Sequence, residues 1–248
     1  MSSSRTSTIT PWQKNNDRFY PINGKEYVSV TTVLSVLRKE GLEYWRGKIG
    51  NKKADQISNE AKDIGKLVHE ILERHLREEQ LVTESYPLPV RKCLSAFRVW
   101  EKKNKFKVLK TEQLVWSDKY EYAGTFDALG TLNGKLTIID FKTSKQIWPD
   151  YGLQLSAYKF AEEERAKDYA TKSKIIWASA APIEQQLIVR LDKETGVLET
   201  QEFNDDFEVF LGALKLWKWK NENVNPLMQW VRPSEVSLKE NSEENKEA

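Results

Sequence analysis

Apolar residues recur at helical spacing in the first half of the chain and as alternating or continuous runs in its middle. Ser29 is a good N-cap for a helix through Lys39, which Gly41 would end. A short segment around Trp45 follows. Ile64, Val68 and Ile71 form one stripe of a long helix over 61–79. Pro89 opens a further helix over 90–104, with Leu94, Phe97 and Trp100 on one side. The pattern then turns strand-like over 108–116, 122–132 and 135–142, where β-branched and aromatic residues dominate. A helix over 149–165, strands over 174–181 and 185–191, and a final helix over 204–220 complete the pattern. Phe207, Phe210, Leu214 and Trp217 mark the core face of that last helix.

This order predicts an α/β fold, not a regular βαβ repeat. About five strands would form a central mixed sheet flanked by helices, with a helical region at 29–104 and an α/β region at 105–221. Residues 21–233 read as one domain. Residues 1–20 are polar and read as a flexible terminus, without the apolar core of a secretory signal. Residues 234–248 read as a disordered acidic tail.

Composition narrows the classes. One cysteine, Cys93, excludes a disulfide framework and a Cys-rich metal or iron–sulfur site within one chain. No apolar run approaches the roughly 20 residues of a membrane span. The formal net charge of +2 gives no global sign of a nucleic-acid partner. The average hides an asymmetry, because Glu235 to Ala248 carries a net −3 and leaves +5 on the remainder.

The candidate chemistry lies in Gly124-Thr125-Phe126-Asp127 and Ile138-Ile139-Asp140-Phe141-Lys142. Asn133-Gly134 signals a two-residue hairpin turn. Counting outward from that turn pairs Leu132 with Lys135 and carries Asp127 opposite Asp140. That position is non-hydrogen-bonded, with Cα atoms roughly 4.5 Å apart. Two carboxylates so close share a proton or bind a cation. Lys142 falls on the Asp140 face. Read alone, this cluster is equally a salt-bridged network. His69 sits at the edge of its helix's apolar stripe, as a core histidine or a ligand. Gln154 and Tyr158 share a helix face, which alone would be an ordinary surface.

In order, Gly65 with His69, Gly124 with Asp127, Asp140 with Lys142, and Gln154 with Tyr158 resemble the motifs of the RecB-like branch of the PD-(D/E)XK nuclease superfamily. Ser29 to Thr32, Trp45 and Asp140 to Ser144 resemble the mitochondrial genome-maintenance exonucleases and their phage and bacterial relatives. The resemblance implies a restriction-endonuclease-like core and a DNA exonuclease acting on free ends of single strands or flaps. A structure-specific endonuclease and an inactive DNA-binding protein are the alternatives. It implies Mg²⁺ or Mn²⁺ held by His69, Asp127, Asp140 and the Phe141 carbonyl, with Lys142, Gln154 and Tyr158 also catalytic. Ser29, Thr31, Lys145, Trp148 and Tyr151 become candidate DNA contacts, and Glu112 a possible extra acidic group. The implied setting is the cytoplasm of a bacterial or phage-infected cell, ahead of a mitochondrion.

Overall fold

A computed structural model of the chain describes residues 10–14, 17–37, 39–172 and 181–223. The predicted strand over 174–181 and the tail 234–248 lie outside the described residues, except Ala181. The chain divides into two compact units, Met1–Leu214 and Lys215–Ala248. The second is described through Asn223. There the Asn221 and Asn223 amides donate to the Trp217 and Trp219 carbonyls one turn back.

The strands are β1 (Trp12–Lys14), β2 (Asp17–Ile22), β3 (Lys25–Ser29), β4 (Lys107–Ser117), β5 (Tyr122–Leu132), β6 (Lys135–Lys142), β7 (Gln185–Leu191) and β8 (Leu198–Phe203). The helices are α1 (Val30–Val33), α2 (Glu40–Ile49), α3 (Asn51–Leu76), α4 (Leu88–Asn104), α5 (Asp150–Lys172) and α6 (Phe207–Asn223). The fold is α/β, as expected, but among the described residues its mixed sheet has eight strands instead of about five. β1–β3 form an antiparallel ribbon ahead of the helices, and β8 adds an edge. Ser29 caps a helix of one turn, not one reaching Lys39, and Gly41 lies inside α2. The β-branched run Val30-Thr31-Thr32-Val33 disfavours a longer helix.

The β5–β6 hairpin turns on Asn133 and Gly134, both at positive φ (51° and 89°), as a type I′ turn requires. Its register holds from Leu132↔Lys135 to Ala128↔Ile139. On that same edge, β5 pairs in parallel with β3 at Tyr122 and Ala123. β5 therefore divides one edge between two partners, and Gly124 to Asp127 fall in the fork.

Two packed layers position this fork. Val68, Ile71 and Leu72 of α3 and Val90, Leu94 and Phe97 of α4 bury against Ala128, Ile139, Phe141 and Val189. On the other face, the Tyr122 hydroxyl donates to the Ala157 carbonyl of α5 and its ring packs against Phe210 of α6. Tyr122 and Gly124 meet this second layer, whereas Ala128 lies in the first. The side-chain alternation of β5 thus changes phase within the fork. The flanking pairs Thr111↔Ala128 and Gln113↔Phe126 place Glu112 opposite Asp127, and Glu112 has a left-handed φ of 45°. For a residue with a Cβ, that conformation costs roughly 1–2 kcal/mol.

Candidate active site in the fork

The predicted ladder pair Asp127–Asp140 does not form. Pairing stops one rung earlier, and the Asp127 side chain takes the place of a ladder carbonyl. Its Oδ2 accepts the Phe141 amide at 2.5 Å, and its Oδ1 lies 3.1 Å from His69 Nδ1. His69, Glu112 and Asp127 each offer a ligand atom, and these atoms all lie within 4.8 Å of one another. Asp140 stands outside that triad. Its Oδ1 accepts from Gln154 Nε2 at 3.0 Å, and its Oδ2 lies 2.6 Å from Lys142 Nζ. The Lys142 ammonium is thus the charged partner of this buried oxygen.

Gln154 ties the site to α5. Its Oε1 accepts from Lys142 Nζ at 3.0 Å, and its Nε2 also donates to the Tyr158 hydroxyl at 2.9 Å. A Cβ on Gly124 would meet Tyr158 Cε1 at 2.3 Å, so the glycine of one motif is the seat of the tyrosine of another. A Cβ on Gly65 would lie 3.0 Å from Thr143 Oγ1, which fixes how closely α3 approaches the end of β6. That approach delivers His69, one turn further on, to Asp127.

The charges are strongly coupled. Burial raises Asp127, but His69, Lys142 and the Phe141 amide outweigh it and hold this carboxyl below its usual range. Burial and the Asp127 charge push Asp140 up to about 6 despite Lys142. Burial, Asp127 and Glu73 push Glu112 to about 8. Burial pulls His69 down, yet Asp127 and Asp140 bring it up to about 9. Burial likewise pulls Lys142 down, and Asp140 outweighs it, so the ammonium holds its proton more firmly than usual. At neutral pH the site is thus a protonated imidazole and a protonated Glu112 around an ionised Asp127.

The remaining candidates separate. Ser29 is fully buried, and its hydroxyl accepts from the Thr32 amide and donates to Thr32 Oγ1. It is consumed as a cap and has no surface for DNA, which corrects that expectation. Thr31 is exposed and lines the 1280 Å³ cavity that also holds His69, Glu112, Asp127, Asp140 and Lys142. Lys145 and Tyr151 line a second cavity of 940 Å³, which reaches His69 and Lys142 from the other side. The Tyr151 ring stacks 4.6 Å from Lys142 Nζ, so it holds the ammonium by a cation–π contact. Trp148 is 43 % exposed before α5. Trp45 lies on α2 and is half-buried. Arg18, Trp116 and Arg165 also line the larger cavity, and no motif or spacing marks them in the sequence.

No family model and no curated protein matches the sequence. A solved structure described as "Crystal structure of SSO0001" is similar at 14% identity and a TM-score of 0.39, over 80% of this chain and 76% of that chain. Among the described residues, no helix is long and apolar enough to cross a membrane.

Proposed function

We propose that the chain is a Mg²⁺- or Mn²⁺-dependent deoxyribonuclease with a restriction-endonuclease-like core of the PD-(D/E)XK type. It hydrolyses DNA from free ends, of single strands or flaps, in replication, recombination or repair. The observation that carries this reading is the continuous network from His69 through Asp127 to the Phe141 amide, beside Asp140, Lys142, Gln154 and Tyr158. An ordinary structural ion pair would not need four elements converging on one cavity.

The donor set fits a hard divalent cation. Carboxylates suit Mg²⁺, and one imidazole suits Mn²⁺ as well. The ligand atoms of His69, Glu112 and Asp127 lie within 4.8 Å of one another, a spacing that one ion can bridge. His69, Asp127 and Glu112 would hold the ion, with Asp140 reaching it from beside Lys142. A bound ion would polarise the scissile phosphate and acidify an attacking water. Lys142, kept as an ammonium, would orient that water and offset charge gathering on the phosphate oxygens. Gln154 holds Lys142 and Asp140 at once, and Tyr158 fixes Gln154.

The charge state gives a pH prediction. A cation competes with the protons on His69 and Glu112, whose pKa values are about 9 and about 8. Apparent Mn²⁺ affinity should therefore climb as pH rises from about 6 and flatten above about 9. Calorimetry in buffers of different ionisation enthalpy should show protons released on binding at pH 7. An affinity that is flat over this range would remove His69 and Glu112 from the ligand set.

The function itself is tested by Mg²⁺-dependent digestion of end-labelled single strands, duplexes and flaps beside covalently closed single-stranded circles. Linear strands and flaps should shorten while circles survive. Nicked or degraded circles would favour the endonuclease alternative. Absence of cleavage with either metal would overturn the enzymatic reading.

A further inference from the structure

Two half-buried arginines in the wall of the larger cavity lack the carboxylate partner that four other arginines have. Arg46, Arg74, Arg77 and Arg190 are each paired with a carboxylate at 2.6–2.9 Å. Arg18 and Arg165 are half-buried, and among the described residues neither has a carboxylate within ion-pair distance. Arg18 Nη2 donates to the Tyr20 hydroxyl at 2.9 Å, and its buried Nε has no acceptor. The Arg165 guanidinium carbon lies 3.2 Å from the centroid of the Trp116 ring. The indole Nε1 of Trp116 is buried and also lacks an acceptor. Asp118, Glu162 and Asp168 act on Arg165 only through longer-range charge, and Glu162 is already paired with Lys110.

Buried cations are ordinarily neutralised by a partner, and buried donors ordinarily find an acceptor. Here two half-buried cations line one cavity with Trp116, on β2, β4 and α5, and Arg18 Nε and Trp116 Nε1 are buried beside it without an acceptor. What they lack in common is an oxyanion. Stacking on Trp116 holds the Arg165 fork flat, the presentation suited to bidentate capture of phosphate. Trp116 is four residues along β4 from Glu112, which places it roughly 13 Å from the acidic triad. That separation is too large for the phosphate being cut and suits a neighbouring one.

We propose that Arg18, Arg165 and Trp116 form a phosphate subsite that grips the nucleic-acid backbone beside the bond cut at Asp127 and Asp140. The subsite rests on the nuclease reading for its ligand. Its role is to hold the strand in register, so it governs substrate binding and not the chemical step.

The test uses the full chain in EDTA, where no strand is cut, with a fluorescent single-stranded oligonucleotide titrated at several salt concentrations. Arg18→Gln and Arg165→Gln should each weaken binding about tenfold at low salt. Each should also flatten the slope of log affinity against log salt by about 0.7, the share of one single-strand phosphate contact. Arg165→Lys keeps the charge and should keep the parent slope. Parent-like Mn²⁺ binding in each variant shows that it is folded. Affinity and slope unchanged in both Gln variants would overturn the subsite. A parent protein that binds no oligonucleotide would instead sink the nuclease reading. The subsite then stands or falls on inorganic phosphate. It stands if phosphate raises the melting temperature of the parent above that of the Gln variants at equal ionic strength, and falls if it does not.

Discussion

Asp140→Asn is expected to lower DNA cleavage by at least about a thousandfold, a loss of about 4 kcal/mol of transition-state stabilisation, in a protein that remains folded. Asp140 is 3 % exposed and already crowded by Asp127, so its charge is held there against solvation and repulsion. Such a carboxylate is retained where a cation uses it. Asparagine keeps an oxygen for Gln154 Nε2 and removes the negative charge beside Lys142. The melting temperature should fall as well, as it should in Asp140→Ala, since both variants leave the Lys142 ammonium without its counter-charge at a cost of about 3–5 kcal/mol. Cleavage by Asp140→Asn at the parent rate would remove Asp140 from the chemistry and leave it a partner of Lys142 alone.

Gly124→Ala is the second large effect. The new methyl carbon would sit 2.3 Å from Tyr158 Cε1, a distance that no rotation of an alanine can relieve. Tyr158 is 2 % exposed and tied through Gln154 to Asp140 and Lys142. Overpacking here should cost about 2–3 kcal/mol and displace the network with it. Cleavage should therefore fall along with the melting temperature. Tyr158→Phe in the same chain should give no relief, since the clashing atom is a ring carbon. Tyr158→Leu should restore the melting temperature and leave cleavage low, because leucine cannot accept from Gln154. Parent-like stability and activity in Gly124→Ala would disprove this contact.

The middle of the chain was legible because its signals are local. The Asn133-Gly134 turn and the apolar runs beside it fix β5 and β6 to the residue, and β7 follows from its own apolar run. The ribbon β2–β3 was missed although Asn23-Gly24 is the same turn signal, with φ values of 50° and 78°. Its polar residues and Pro21 hid the alternation around it. α3 begins at Asn51 instead of Ala61 because its first turns are mostly exposed and carry no apolar stripe. The turn sets the register as far as Ala128↔Ile139, and the next rung, Asp127 with Asp140, does not form. A regular hairpin cannot foresee a strand that shares its edge with a third partner, nor a left-handed Glu112 opposite it. Spacing alone leaves His69, Gln154 and Tyr158 ordinary, and only the ordered family motifs single them out beside Asp127, Asp140 and Lys142; the fold brings all six to one cavity. Arg18, Trp116 and Arg165 lie on three elements whose juxtaposition is a property of the folded sheet alone.

The fork in β5 also orders the site by distance along the chain. One arm, β6, returns through a two-residue turn, so Asp127 and Asp140 are brought near each other at little loop-closure cost. The other arm must bring Val28 back to Tyr122, and α3 must bring His69 across 58 residues to Asp127. Contacts of such separation form slowly and late. The carboxylates are therefore the first part of the site that a folding chain can assemble, and the imidazole and the arginine-bearing ribbon are the last. A chain stopped short of that final docking would hold Asp127, Asp140 and Lys142 without His69 or Arg18.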